Sequence, residues 1–137
     1  MKKEYMDLAN YRIERAEETF EDALTLFKNE RFNSAMNRMY YSIFYAIKSL
    51  LATKGLDSSK HSGVISLFHK EFVKSGIVSK KLGQIVNIAF RKRTDGDYKD
   101  FYQFSKEEVE DALKNCKIFL KEIKEIFGGL KNVKNNL

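Results

Sequence analysis

Apolar residues recur every three or four positions along most of the chain, which is the spacing of one face of an α-helix. This pattern predicts a first helix over residues 6–29 and a second, more apolar helix over residues 32–54. A shorter helix is predicted around residues 64–72, and a fourth begins near Leu82 and ends within residues 89–98. The chain contains no proline, and no strand-length run of β-branched residues lies between turn signals. The pattern therefore indicates an all-α protein.

Capping residues indicate where several helices begin and end. Gly55 and Gly76 stand where glycines commonly end a helix. Ser105 followed by Glu108 is typical of a capping box, which predicts the start of a fifth helix. The glycine pair 128–129 is expected to end that helix and to leave residues 128–137 as a frayed tail. We predict an up-and-down four-helix bundle plus one short additional helix, in a single domain spanning residues 1–137 with its core at about 6–127.

Length and composition are those of one domain with a sizeable core. The chain has 137 residues, of which 43% are hydrophobic, and its only cysteine excludes an internal disulfide. The N-terminal residues lack the apolar core of a signal peptide, and the richest apolar run is too short to span a bilayer. We therefore expect a soluble, cytoplasmic protein that does not contact a membrane.

The chain is basic, with a formal net charge of +6 and a pI of about 9.3. Such a surface attracts polyanions such as RNA, DNA, nucleotides or acidic proteins. The alternative is that a lysine-rich surface only keeps the protein soluble, so the net charge alone does not identify a ligand.

The sequence predicts neither a metal site nor a cofactor. His61 and His69 are eight positions apart, and Cys116 has no histidine or second cysteine nearby. Phosphate-binding loops and the motifs of nucleophilic hydrolases are also absent from the sequence. Because Cys116 falls on an apolar stripe, we expect it to be a core thiol.

The first candidate site lies within residues 37–46, NRMYYSIFYA. Arg38, Tyr41 and Tyr45 are three and four positions apart and share one helix face. Such a face can bind a ligand. The alternative is a surface arginine whose stem packs on tyrosines that belong to the core.

The second candidate site is the segment AFRKRTDGDY, residues 89–98. Arg91 offers a rigid fork of donors suited to phosphate, and Asp97 and Tyr98 follow after a bend expected at Gly96. The alternative is the end of a helix, where the cations interact favourably with the negative end of the helix dipole and Asp95 and Gly96 form a turn.

The two candidate sites, together with the segments around them and their order along the chain, resemble the HEPN family (higher eukaryotes and prokaryotes nucleotide-binding), in particular its small stand-alone prokaryotic members. The matching segments are NRMYYSIFYAIKSLLATKG, KHSGVISLFHKEFVKSG, FRKRTDGDY and the long closing helix from Ser105. The resemblance covers about residues 8 to 127. It implies an up-and-down helical bundle that forms a homodimer.

In the family's ribonuclease branch, an arginine is followed four to six residues later by a histidine, often with a tyrosine just after. That pair cuts RNA without a metal. Arg91 and Tyr98 match this motif, but Asp97 occupies the place of the histidine. An ionised carboxylate beside an arginine is a poor general acid, which puts nuclease activity in doubt. His61 can supply the missing imidazole only if the fold brings it close.

Three functions follow from the residues and the resemblance. The first is a nucleotide- or RNA-binding protein acting with a minimal nucleotidyltransferase in a toxin–antitoxin-type pair. Its expected ligand-binding residues are Arg38, Tyr41, Tyr45, His61 and Tyr98, and Tyr98 is also a candidate target of nucleotide transfer.

The second function is a metal-independent endoribonuclease, with Arg91 as phosphate clamp and Asp97 or His61 as base. The third is a non-catalytic structural or interaction bundle, in which the charges of residues 89–98 form an internal salt-bridge network.

Overall fold

The described residues fold into five α-helices. The computed structural model describes the backbone of residues 2–135 and the side chains of residues 2–131. The helices are α1 (Lys3–Lys28), α2 (Phe32–Thr53), α3 (His61–Phe68), α4 (Lys80–Tyr98) and α5 (Lys106–Asn135). A π-helical turn, His69–Val73, continues α3. The described residues contain no β-strand, and the predicted all-α bundle is confirmed.

Helix α2 is the centre of the bundle and packs against each of the other four helices. Its contact with α1 is close because Ala9, Ala16 and Ala23 recur every seven residues on α1 and are fully buried. Two buried hydroxyls on α2 also bond to the α1 backbone. Ser42 donates to the carbonyl of Ala16 and Ser49 to that of Ala9, each at 2.7 Å.

Three of the predicted capping signals, at Ser105, Gly55 and Gly76, are confirmed. Ser105 and Glu108 form a reciprocal capping box, in which each side chain accepts a hydrogen bond from the other residue's backbone N–H, at 2.9 and 3.1 Å. Gly55 follows α2 with a φ of 68° and Gly76 follows the π-helical turn with a φ of 86°. These left-handed conformations suit glycine.

The expected bend at Gly96 is wrong, because α4 remains helical through residues 95–97 to Tyr98. Ion pairs four residues apart, Arg93–Asp97 and Asp95–Lys99, bridge this last part of the helix. Glycine at position 96 serves packing. A Cβ there would lie 2.6 Å from Cε2 of the buried Phe104 ring.

The predicted end of α5 at the glycine pair 128–129 is also wrong, because the helix continues to Asn135. A Cβ at either glycine would meet no atom within 4 Å, so packing does not require a glycine there. A single glycine lowers helix stability by about 1 kcal/mol and does not by itself end a helix. The predicted frayed tail is thus helical as far as Asn135, and its last two residues lie outside the described residues.

Two further features of the described residues complete the fold. Cys116 is fully buried in the core, and burial raises the pKa of its thiol to about 12, so it remains protonated. Within residues 2–135, no helix combines the length and the apolar character that crossing a membrane requires.

Candidate functional site

The guanidinium of Arg93 lies among three tyrosine rings where α2 meets α4. Its central carbon is 5.5 Å from the ring centre of Tyr40, 5.9 Å from that of Tyr41 and 5.6 Å from that of Tyr98. One Nη donates a hydrogen bond of 3.4 Å to the hydroxyl of Tyr41. Each ring face attracts the cation, and the attraction grows where water is excluded. Only 15% of the Arg93 side chain is exposed.

Asp97 supplies the counter-charge to Arg93. Nε of Arg93 lies 3.0 Å from a carboxylate oxygen of Asp97, one helical turn away. The buried Nε–H does not point at that oxygen and has no hydrogen-bond partner among the described residues. The contact is therefore an ion pair without a well-aligned hydrogen bond, which leaves one donor of the guanidinium unused.

An imidazole joins the same tyrosines from α3. Nδ1 of His61, the first residue of α3, lies 2.9 Å from the hydroxyl of Tyr40. The imidazole also stacks on Phe44, with ring centres 4.3 Å apart, and meets Tyr41 edge to face at 5.7 Å. His61 thus reaches two of the three rings that surround Arg93.

The protonation states of His61 and Tyr40 follow from their surroundings. Burial lowers the pKa of His61, and the positive charges of Arg93 and Lys48 lower it further. Burial raises the pKa of the Tyr40 hydroxyl strongly, so that hydroxyl stays protonated. At neutral pH the site therefore pairs a neutral imidazole with a neutral phenol.

A chain of polar contacts links Asp97 to Arg38 on α2. The amide nitrogen of Asn37 lies 3.4 Å from both carboxylate oxygens of Asp97. Its oxygen accepts two hydrogen bonds from Arg38, at 3.2 and 2.9 Å. Arg38 in turn stacks on Tyr41 at 4.8 Å. A cleft of about 440 Å³ opens at this edge, lined by Leu26, Asn33, Ser34, Asn37, Arg38, Gly96 and Asp97.

We name the residues described above the arginine–tyrosine cluster. It comprises Asn37, Arg38, Tyr40, Tyr41, His61, Arg93, Asp97 and Tyr98. A second, mostly apolar groove lies between α4 and α5 on the side of Met39 and Ile88, and no cluster residue lines it. The cluster is the better candidate because charged and hydrogen-bonding groups converge in it.

The structure brings together five of the residues predicted from the sequence. Arg38, Tyr41, His61, Asp97 and Tyr98 all belong to the cluster. Tyr45 adjoins it, since its ring centre is 6.2 Å from that of Tyr41.

Arg91 does not join the other predicted residues. Its side chain is exposed and makes no hydrogen bond or ion pair with any residue whose side chain is described. Arg91, expected from the sequence to be a phosphate clamp with Asp97, therefore lies outside the cluster. Arg93 lies beside Asp97 instead, because it continues the face of α4 on which Leu82, Val86 and Ala89 are buried.

Sequence reasoning also missed Asn37 and the pairing of Tyr40 with His61. Asn37 had a usable signal, because residues 33, 37, 41 and 45 are spaced by four and share a face of α2. No sequence signal predicted the contact between Tyr40 and His61, because the position of α3 depends on the path of the loop that follows α2.

Among the residues that the structure describes, no three His, Cys, Asp or Glu side chains form a group able to hold a metal ion. The polar groups of the cluster are arginine, tyrosine, asparagine, one imidazole and one carboxylate. This donor set suits an anionic or hydrogen-bonding ligand.

Comparison with known proteins places the chain in a family. The model of the HEPN domain matches residues 9–126. The chain belongs to the HEPN domain family. Among its relatives, a UPF0332 protein of Thermotoga maritima is 44% identical over 124 residues, covering 90% of this chain and 94% of the relative.

A second HEPN relative carries a functional name. It is a protein of Methanocaldococcus jannaschii named as a candidate toxin, 39% identical over 112 residues, covering 82% of this chain and 76% of the relative. Another protein of that organism with the same kind of name is 37% identical, covering 82% of this chain and 83% of the relative. The resemblance seen in the sequence is thus confirmed at the level of the family.

Proposed function

We propose that this HEPN protein is the toxin-like member of a two-protein pair and binds RNA through the arginine–tyrosine cluster. The observation that carries the proposal is the position of Arg93, a nearly buried guanidinium surrounded by tyrosine rings at the edge of the cleft that Asp97 and Arg38 line. Two relatives named as candidate toxins support the toxin-like role. The net charge of +6 favours a polyanionic ligand.

Four side chains of the cluster have a chemical use in such a complex. Arg93 and Arg38 provide planar forks of N–H donors that match the oxygens of a phosphate. Tyr98 is 70% exposed and presents a ring on which a base can stack. Asp97 can accept a hydrogen bond from a ribose hydroxyl, which a protein that recognises RNA rather than DNA requires.

The second member of the pair is proposed to be a minimal nucleotidyltransferase, as the family resemblance implies. Tyr98 is a suitable acceptor for nucleotide transfer, because its hydroxyl lies at the end of α4 on an exposed ring. In the transfer, the Tyr98 phenol oxygen would attack the α-phosphorus of a nucleoside triphosphate and pyrophosphate would leave. The guanidinium of Arg93, 5.6 Å from the ring centre of Tyr98, supports this choice of tyrosine.

A homodimer is part of the same proposal. Tyr98 and Phe101 are three residues apart, and the Phe101 side chain is fully exposed, at 102% of its reference area. Phe101 also holds a φ of 61°, a conformation uncommon for residues other than glycine. An exposed ring on a strained backbone is consistent with an interface that a second copy completes.

One observation favours a second candidate function, a metal-independent endoribonuclease. His61 shares Tyr40 and Tyr41 with Arg93, and its imidazole is neutral at pH 7. A neutral imidazole can accept the proton of a ribose 2′-hydroxyl as that oxygen attacks the adjacent phosphorus. The bond from phosphorus to the 5′ oxygen breaks, and that oxygen takes up a proton. The products are a cyclic phosphate and a 5′-hydroxyl. Arg93 would stabilise the charge on the phosphorane.

Binding and cleavage are separated by one experiment on labelled single-stranded RNA in EDTA. We expect fluorescence anisotropy to detect binding by the wild-type protein, and gel analysis to find the RNA intact. Cleavage that is lost in His61→Asn and retained in His69→Asn would instead support the nuclease. RNA that neither binds nor is cut would overturn both functions and leave the structural bundle.

A further inference from the structure

The face of α2 that carries Arg38 and Tyr41 continues to Tyr45, where a second arginine stacks from α1. The guanidinium carbon of Arg15 lies 4.9 Å from the ring centre of Tyr45, and one Nη donates to the Tyr45 hydroxyl at 3.0 Å. The other Nη reaches the hydroxyl of Tyr11 at 3.5 Å. Tyr11 is 54% exposed, so this pair of tyrosines opens to solvent.

The arrangement repeats that of Arg38 one turn earlier. Arg38 stacks on Tyr41, Arg15 stacks on Tyr45, and the two tyrosine rings are 6.2 Å apart. The order along this face is Arg38, Tyr41, Tyr45 and Arg15, so that two adjacent rings lie between two cations. Rows of this kind bind single strands, because every base has a face to stack and every linkage has a charge to neutralise.

Arg15 and Arg38 differ from Arg12 and Arg93, each of which lies beside a carboxylate. Among the described side chains neither makes an ion pair, and their hydrogen-bond partners are neutral tyrosine and asparagine groups. Arg12, one turn before Arg15, contrasts with both. Its guanidinium lies 3.2 Å from the carboxylate of Asp57, which also pairs with Lys48. Arg12 thus shares one carboxylate with Lys48, whereas Arg15 contacts only neutral phenols.

We propose that Arg15, Tyr45 and Tyr11 form a second binding subsite, which holds a flanking nucleotide of a single-stranded RNA whose central phosphate occupies the cluster at Arg93. This rests on the proposed function and adds to it the form of the ligand. The ligand is an extended strand of several nucleotides, stacked along α2, and not a mononucleotide or a duplex. Arg15 contacts the flanking phosphate, and Tyr45 and Tyr11 orient its guanidinium.

The test compares RNA lengths. Anisotropy measures the binding of fluorescent oligouridylates of two and of ten nucleotides to the wild type, Arg15→Gln, Arg93→Gln and Lys28→Gln. Lys28→Gln is the matched control, since it removes the same charge from the exposed end of α1, about 20 Å along the helix from Arg15. Thermal melting of each variant verifies that it is folded. Arg15→Lys, which keeps the charge without the planar fork, is a fifth protein.

We expect Arg15→Gln to weaken binding of the ten-nucleotide RNA about 5- to 10-fold and to leave binding of the two-nucleotide RNA unchanged. The slope of affinity against salt should fall by about 0.7 for the longer RNA. Arg15→Lys should have the wild-type salt dependence for the ten-nucleotide RNA, but should recover only part of the affinity that Arg15→Gln loses. Arg93→Gln should weaken both lengths.

Each alternative result overturns a specific part of the account. If Arg15→Gln behaves like Lys28→Gln while Arg93→Gln loses affinity, the subsite is refuted and the proposed function stands. If Arg15→Gln weakens both lengths equally, Arg15 belongs to the central site and the extended-strand model is wrong. If the wild type binds neither length, the proposed function fails and the subsite fails with it.

Discussion

The hydroxyl of Tyr40 and Nδ1 of His61 lie 2.9 Å apart, which fixes the start of α3 against the middle of α2. Tyr40 is almost fully buried and its ring also lies beside the guanidinium of Arg93. A single phenol therefore couples the imidazole and the cation of the cluster. This contact is the reason that the site depends on the short helix as well as on α2 and α4.

The first prediction concerns pH. Because the folded pKa of His61 lies below its ordinary value of about 6.5, the unfolded chain takes up a proton at a higher pH than the folded protein does. The stability that the neutral imidazole contributes is complete above pH 6.5 and is lost as pH falls through the folded pKa. We expect the melting temperature to fall between pH 7 and pH 5.5, and the fall to be smaller in His61→Asn.

An NMR titration checks the same prediction directly. His61 and His69 are the only histidines, so His69→Asn leaves one set of imidazole resonances to follow. Their midpoint should lie below 6.5, and Tyr40→Phe should alter it, because the hydrogen bond is lost. A midpoint at or above 6.5 would contradict the account of the site's charge.

The second prediction concerns packing at the end of α4. Gly96→Ala should lower the free energy of unfolding by about 1–2 kcal/mol, because the added methyl group would press on the Phe104 ring. That ring cannot easily move, since it is buried and packs edge to face on Tyr102. Gly128→Ala is the matched control and should raise stability by about 0.5–1 kcal/mol, since its methyl group meets no neighbour. Urea denaturation measures both, and equal effects would refute the packing role of Gly96.

The helices were predictable from the sequence to within a few residues, because their signals are local. Capping at Ser105 and Gly55 and the spacing of apolar residues act within one or two helical turns. One error, the bend expected at Gly96, arose because a glycine was interpreted without its neighbours. Gly96 accommodates Phe104, and a sequence pattern does not contain that contact.

The candidate site was predictable only in part. The resemblance directed attention to Arg91 through motif spacing, whereas the buried stripe of α4 leads to Arg93. The approach of His61 depends on residues 54–60, a loop whose path no periodicity describes. Arg15 is 30 positions from Tyr45, and only the pairing of α1 with α2 brings them together.

The third prediction concerns assembly. Light scattering of the wild type should give twice the chain mass of 16.0 kDa. Phe101→Gly should shift the protein toward the monomer, because it removes the exposed ring. It should also raise the melting temperature at a concentration where both proteins are monomeric, since glycine suits the positive φ. Ile118→Ser, which removes another exposed apolar side chain, should leave the mass unchanged. A wild type that is monomeric across micromolar concentrations would refute the homodimer.

The fourth prediction concerns the start of α5. Ser105→Ala should lower the free energy of unfolding by about 1 kcal/mol, because the backbone N–H of Glu108 loses its acceptor. Glu108→Gln should cost less, since an amide oxygen can still accept from the N–H of Ser105. Thermal unfolding of the two variants at pH 7 gives the comparison. A larger loss for Glu108→Gln would mean that its charge matters more than the capping geometry.

The central claim is that Arg93, and not the neighbouring Arg91, is the cation that binds the phosphate of RNA. Its most direct test is the affinity of Arg93→Gln and Arg91→Gln for a ten-nucleotide single-stranded RNA, by anisotropy at two salt concentrations. The two variants lose the same charge from the same helix, two residues apart. We predict a loss of at least about tenfold for Arg93→Gln, reproduced in part by Arg93→Lys, and at most about twofold for Arg91→Gln. Equal losses, or a larger loss for Arg91→Gln, would contradict the assignment of the site.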